Sequence, residues 1–518
     1  TPLYRYNRSL SRPFHRSTHI MTFLFGGLQP IWSRVVLDTI TILSLGFCIS
    51  TKQNKASNTV ALLIPILLTF FTAGLTKRWT LTFPMIPLLV LQQLRCLPTF
   101  QGRSWGAISV ATLSTILLLL VIFLCIAFPA VRPPPIQGKY HVGVVDVYLP
   151  INFGPSTING DDDQSGHVLA RILYPTDETG SMPYLRAPIA SEYLKQSLQM
   201  AAPPPINAWT WFLDNWKLIR LDSKLNAQPI VGNKFPIVAY SHGLGGSAVI
   251  YTHQTRSLAA NGHIVIAVDH TDGSAPVVMK QDGSILLLDV APIQIFRDGK
   301  KEEYARVRRQ QTEWRARELT GATVALQQLN EQNIPELESL GVSFVNCLDT
   351  TQVHAMGHSF GGATALTVAF RRPDLFHSVI AHEPATDWSP DDVRKQIFPH
   401  AAIGAWEHEG EAYTGGVGGY QESKAKPLKA TYHQIPVLYL FSDDWYKLNW
   451  GNCRFLEQLH KQGSLGAHGD FGVITAAHHN EFSDMCFLMP LWLARALKVT
   501  GIRNPIDTAA DMVDRTLA

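Results

Sequence analysis

Gly357-His358-Ser359-Phe360-Gly361-Gly362 lies between a short apolar run, Val353 to Met356, and a helix-forming run, Ala363 to Phe370. A serine with glycine at both second neighbours, set between a strand and a helix, is the pattern of a nucleophile elbow. The turn is so sharp that side chains at Gly357 and Gly361 would collide with the neighbouring strand and helix. The pattern therefore predicts Ser359 on a sharp, strained turn between a strand and a helix.

Upstream, Phe235 to Tyr240 reads as a buried strand and runs directly into Ser241-His242-Gly243-Leu244-Gly245-Gly246. Glycines in such a turn let backbone N–H groups face a substrate, and the pairing with Ser359 assigns the oxyanion hole to the amides of Leu244 and Phe360. His263 to Val268 predicts the next strand, ending in Asp269-His270-Thr271-Asp272-Gly273-Ser274, where loop capping explains the polar residues as well as chemistry does. Lys301 to Asn330 predicts a long helix with Tyr304, Val307, Trp314, Leu319 and Val324 on its buried side. Strand, helix, strand, nucleophile, helix is the order of a mostly parallel, doubly wound sheet.

Downstream, Ser378 to Ala381 predicts a strand ending in His382-Glu383, and Ile435 to Phe441 another ending in Ser442-Asp443-Asp444. Either end could supply a carboxylate beside the nucleophile, so Glu383, Asp387, Asp443 and Asp444 are all candidates. The histidine comes last in this chain order, and Gly472 to Thr475 leads into His478 and His479. Two adjacent histidines without a partner at the i, i+4 spacing do not make a metalloprotease motif, so no metal is expected.

The first 131 residues differ from the rest. Their only acidic residue is Asp38, and residues 1–34 form a basic arm with Arg5, Arg8, Arg12, Arg16 and Arg34. Residues 35–131 hold three or four apolar runs of spanning type: 104–131 and 56–76, with 35–51 and 79–94 weaker because of Asp38 and of Pro84 and Pro87. The expectation is a multi-pass transmembrane helical region in an integral membrane protein. Lys and Arg in every short loop leave its orientation open. The first residue is Thr1, so a targeting segment upstream of it would not be visible. Residues 132–139, with Pro133, Pro134 and Pro135, read as a stiff linker, and 140–518 as one catalytic domain. A net charge of +3, with no basic cluster interleaved with aromatics, gives no reason to expect nucleic acid. The six cysteines lack C-x-x-C spacing, so neither zinc nor a disulfide framework is indicated. Two further features are a Trp-rich face, Trp209, Phe212, Trp216 and Ile219, and a lid-like segment at 401–429 with glycines at 415, 416, 418 and 419.

Lys234-Phe235-Pro236-Ile237-Val238-Ala239-Tyr240-Ser241-His242-Gly243-Leu244-Gly245, Gly357-His358-Ser359-Phe360-Gly361-Gly362 and His479-x-x-Phe482-x-Asp484 together resemble the plasma-type platelet-activating factor acetylhydrolases. The resemblance runs from about Pro133 to Ala496. It implies an α/β-hydrolase fold, a calcium-independent serine esterase without cofactor or metal, and a phospholipid substrate with a short or oxidised sn-2 acyl chain; the expected membrane segment, which is not part of the plasma enzyme's pattern, would place the pocket next to such lipids in a membrane bilayer. It also implies a triad of Ser359, His479 and, following the strand after the elbow, Glu383. Glu stands where the family has Asp, which keeps Asp387, Asp443 and Asp444 as alternatives. The H-x-x-F-x-D spacing selects His479 over His478. Other readings are an esterase for neutral lipids or other esters and a non-catalytic membrane scaffold on a degenerate hydrolase domain.

Overall fold

The computed structural model describes residues 112, 116 and 119, then 133–152, 165–201, 213, 216–398 and 433–518. The chain divides into two units, residues 1–131 with 209–218 and residues 132–208 with 219–518. In the first, Thr112, Ile116 and Leu119 are helical and exposed. The second contains a nine-stranded sheet.

Its strands are β1 (His141–Asn152), β2 (Ser165–Thr176), β3 (Lys224–Leu225), β4 (Phe235–Ser241), β5 (Ile264–Val268), β6 (Leu348–His358), β7 (Ser378–His382), β8 (Val437–Ser442) and β9 (Asp470–Ile474). Their spatial order is β9-β8-β7-β6-β4-β5-β2-β1-β3. From β9 to β5 every pairing is parallel, whereas β2 is antiparallel to both β5 and β1. The central strands read as continuous apolar runs because helices cover both faces of a parallel sheet. Ile237, Ala239, Ile266, Ala355, Ala381 and Val437 are wholly buried there. Each such Ile or Val side chain contributes about 1.5–3 kcal/mol relative to exposure.

The helices that shape the site are α1 (Thr252–Ala260), α2 (Lys301–Gln328), α3 (Phe360–Arg371), α4 (Asp443–Leu448) and α5 (Pro505–Leu517). The elbow helix α3 packs against α2, and the C-terminal α5 against α1. The expected strands and the long helix are found close to where the periodicity put them. Strand β6 starts earlier, at Leu348, with a break in its register against β4 between Asp349 and Val353. The buried face of α2 also carries Arg308, Arg315 and Glu318. These charges share the helical period of Tyr304 and Leu319, and loop residues beyond β5 satisfy two of them, as described below.

The expectation of an integral, multi-pass membrane protein is corrected here: among the described residues, no helix is long and apolar enough to cross a membrane. Apart from Thr112, Ile116 and Leu119, the apolar runs on which that expectation rested lie outside the described residues, as do the basic arm, Trp209 and Phe212 of the Trp-rich face, and the segment 401–429, whereas Trp216 and Ile219 of that face are buried.

Candidate active site

Parallel strands β6, β7, β8 and β9 end at one edge of the sheet, and the candidate residues follow three of those ends. Ser359 sits between β6 and α3 with φ 58° and ψ −116°. Glu383 follows β7 with φ 48°. Left-handed backbone is costly for residues with a side chain, and surrounding bonds must hold it. Here the Ser359 N–H donates to the His382 carbonyl at 2.9 Å, the Ala385 N–H donates to the Ser359 carbonyl at 3.0 Å, and the Glu383 N–H donates to the Leu440 carbonyl at 2.9 Å. The glycines at the elbow follow from contact. A Cβ on Gly357 would overlap the Gly361 carbonyl, and one on Gly361 would overlap the Ser241 carbonyl.

The Gly243 turn, the candidate oxyanion hole, lies against Ser359. A Cβ on Gly243 would stand 3.4 Å from the Ser359 Cβ and 2.7 Å from the Tyr251 hydroxyl, so the backbone comes this close only as glycine. Leu244 follows at the surface of that turn, and Phe360, wholly buried, opens α3 directly after Ser359. The turn is braced from α2: Arg315 donates to the His242 carbonyl at 2.7 Å and pairs with Asp272 at 2.8 Å.

His479 Nδ1 is hydrogen-bonded to Glu383 Oε2, and the other carboxylate oxygen, Oε1, accepts the Ser442 N–H at 2.5 Å. Trp445 of α4 stacks on the imidazole, with centroids 4.3 Å apart and planes at 15°. Glu383 is fully buried, while the His479 side chain is 28% exposed. Burial pushes the Glu383 carboxyl up, but the His479 charge and hydrogen bonds from both His358 and His479 outweigh it and hold the group well below the usual carboxylate range. An ionised acid beside an accessible imidazole is the arrangement for accepting a proton from serine.

The other carboxylates lie elsewhere. Asp443 pairs with Lys447 at 2.7 Å, and Asp444 stands 3.3 Å from His478, not His479. Asp387 lines a cavity of about 170 Å³ with Ala385, Trp388, Phe441, Trp445 and Leu448; burial pushes its carboxyl up to about 6.

Several residues of the site escape a linear reading. His358 Nε2 lies 3.4 Å from Glu383 Oε2, and its Nδ1 lies 2.9 Å from the Tyr251 hydroxyl, which accepts the Gly243 N–H at 3.1 Å. In the sequence His358 is visible only as the variable position of the elbow. Phe482 stacks on His358 at 7°, and Asp484 accepts the His253 N–H at 3.0 Å in the first turn of α1. Thus H-x-x-F-x-D spaces the histidine that meets Glu383, a ring against His358 and an acid that holds the helix following Tyr251. His358, Glu383 and His479 each offer one ligand atom within 4.8 Å of the others, a nitrogen and oxygen set that zinc accepts. Those same atoms already serve the hydrogen bonds just described.

The site adjoins a second chain of the same residue types. Ser241 Oγ is 2.8 Å from His270 Nε2, and His270 Nδ1 is 2.8 Å from Glu318 Oε2. All three are buried, and Asp269 and Asp272 from the same loop are bound to Arg186 and Arg315. The polar loop after β5 is therefore structural.

The family model described as "Platelet-activating factor acetylhydrolase, isoform II" matches residues 125–385, and that of the prolyl oligopeptidase family matches residues 343–478. A platelet-activating factor acetylhydrolase of Canis lupus familiaris is 27% identical over 243 residues, covering 45% of this chain and 51% of the relative. One of Cavia porcellus is 26% identical over 258 residues, covering 48% and 58%. The chain thus spans about half the length of these relatives. Among solved structures, a ferulic acid esterase from Streptomyces cinnamoneus aligns with 17% identity and a TM-score of 0.43, covering 75% of this chain and 91% of that one. With the elbow, the oxyanion turn and the β7 end all inside the matched span, the chain belongs to the platelet-activating factor acetylhydrolase isoform II family.

Proposed function

We propose that residues 140–518 form a serine esterase that hydrolyses carboxylic esters of lipids. The observation that carries this is Ser359 on its strained elbow with the Gly243 turn packed against it, together with His479, which is hydrogen-bonded to the buried Glu383 and lies with its ring centroid 4.5 Å from that of His358, the residue before Ser359. In this reading His479 takes the Ser359 proton as the serine oxygen attacks the ester carbonyl. Glu383 fixes the tautomer with Nδ1 protonated and stabilises the imidazolium. The N–H groups of Leu244 and Phe360 hold the oxyanion, the alcohol leaves with the proton from His479, and water attacks the acyl-enzyme by the same steps.

The substrate we propose is a phospholipid with a short or oxidised sn-2 acyl chain. The relatives named as platelet-activating factor acetylhydrolases support it, and so does the cavity of about 170 Å³ lined by Ala385 and Trp445, with polar Asp387, Asn449 and Asn452 also in its lining, which has room for a short chain. The proposed chemistry uses no calcium.

The test is release of the sn-2 group from acetyl and long-chain phosphatidylcholines in chelator, wild type beside Ser359→Ala. Serine-dependent acetyl release with little long-chain cleavage is expected. Cleavage of a simple aryl ester but neither lipid would leave the esterase and remove the phospholipid. Activity restored only by added metal would remove the metal-free mechanism, and no serine-dependent turnover of any ester would overturn the proposal.

A further inference from the structure

Hydrogen-bond direction around His358 follows from its partners. The Gly243 N–H can only donate, so the Tyr251 oxygen accepts it, at 3.1 Å. The Tyr251 hydroxyl hydrogen then has His358 Nδ1 as its acceptor at 2.9 Å. An imidazole that accepts at Nδ1 carries its hydrogen on Nε2, and Nε2 faces Glu383 Oε2 at 3.4 Å. Burial and stacking on Phe482 hold the ring in this place. Burial and the His479 charge together bring its own pKa down to about 4, so it is a neutral donor at physiological pH.

We infer that Tyr251 and His358 are positioning residues that tie the oxyanion turn to the acid of the triad, through the path Gly243 N–H, Tyr251 hydroxyl, His358 imidazole, Glu383 carboxylate. This rests on the esterase reading above. One end of the path sits next to the Leu244 amide, and the other shares Glu383 Oε2 with His479. Movement of the turn would therefore alter the hydrogen bonding of the carboxylate that orients the base. The path also accounts for the longer side chain of glutamate, since Oε2 reaches a point between two imidazoles while Oε1 stays on the Ser442 amide. The other titratable groups packed around it are engaged or apolar in surroundings: His382 bonds to Thr516 at 3.2 Å, Asp484 to Tyr184 at 3.0 Å, and Cys453 is a buried thiol.

The experiment compares Tyr251→Phe, His358→Leu, His358→Gln and the Tyr251→Phe/His358→Leu double variant on a soluble aryl ester, with thermal melting as a check on folding. Tyr251→Phe and His358→Leu are expected to lower kcat by about ten- to a hundred-fold with KM within about two-fold, the range for losing one orienting contact in acid–base catalysis. The double variant should be no worse than the poorer single one, since one path is cut once or twice. His358→Gln, whose amide can place an N–H near the Nε2 position, should restore much of the rate. Because His358→Leu removes a donor that keeps Glu383 ionised, the acidic limb of the pH–rate profile should move to higher pH. Wild-type-like kcat, a change confined to KM, or additive losses in the double variant would each overturn the inference. Should His358→Leu fail to fold, Tyr251→Phe and His358→Gln decide it by the same measures. Imidazole ¹⁵N shifts of the wild type, with the His358 signal identified by its loss in His358→Gln, read the tautomer without any substrate. A hydrogen on Nδ1 would overturn the path even if no ester proved to be a substrate, whereas failure of turnover alone would count against the esterase reading.

Discussion

Two groups of a serine, a histidine and a glutamate lie next to each other in this protein, Ser359 with the hydrogen-bonded His479–Glu383 pair, and the hydrogen-bonded chain Ser241–His270–Glu318. They are close enough that a Cβ on Gly361, two residues after the first serine, would meet the carbonyl of the second. What separates them is surroundings. His479 has a side chain 28% exposed and an acid held ionised by two imidazoles and a backbone amide, whereas His270 is wholly buried. Burial and the Arg315 charge bring His270 down to about 3, and burial pushes Glu318 up to about 8 despite the hydrogen bonds it accepts from Thr271. Near neutral pH the second chain favours a protonated, neutral Glu318, which would not stabilise an imidazolium, beside a His270 too weakly basic to hold a proton taken from serine. Its serine also lies on regular strand backbone, at the end of β4, instead of a strained elbow. Residue type does not distinguish the proposed catalytic group from the structural one; access, strain and protonation state do.

The contrast breaks most visibly at the serines. Ser359→Ala should abolish ester turnover by about 10⁴-fold or more, while Ser241→Ala should keep turnover within about ten-fold and cost about 1–2 kcal/mol by leaving His270 Nε2 unpaired. Equal losses of activity in side-by-side assays would erase the distinction. At the acids, Glu383→Gln should cost about 10³-fold or more in kcat because the amide cannot hold the His479 tautomer and imidazolium, whereas Glu383→Asp should cost about ten-fold, its shorter reach satisfying one histidine at a time. Pre-steady-state acylation rates would check both.

The point of contact between the chains is expected to be intolerant. Gly361→Ala should destabilise by several kcal/mol, on the order of 3 or more, because backbone, not a flexible side chain, occupies the Cβ position; denaturant unfolding measures it. Electrostatics sharpen the comparison further. A carboxyl whose folded pKa is raised favours the folded state by its proton, so the Glu318 contribution is complete below about pH 4 and is lost as pH rises through about 8. The depressed Glu383 works the other way: its contribution is present above the ordinary glutamate range near 4 and is lost on acidification. Melting temperature against pH should therefore fall less steeply on the alkaline side in Glu318→Gln than in wild type. The smallest effect is expected at the neighbouring pair: Asp444→Asn, which removes the partner of His478, should change kcat by less than about two-fold and stability by about 0–1 kcal/mol.

By itself the sequence determined the sheet, the elbow and the chain order of the candidate residues. Those depend on local rules: unbroken apolar runs make buried parallel strands, and glycines mark where backbone must pass close to backbone. Gly357 and Gly361 could be read that way because the chain within a few residues dictates their collisions. The choice among Glu383, Asp387, Asp443 and Asp444 could not, since several strand ends carry a carboxylate and only packing shows which one reaches His479. The same holds for the membrane expectation, where apolar length alone suggested spans that no described helix provides. Nor could spacing reveal that Tyr251 meets His358 across 107 residues or that Ser241, His270 and Glu318 form a sealed counterpart to the site. Burial and hydrogen-bond direction are properties of groups brought together from distant parts of the chain, and so only the tertiary structure decided them.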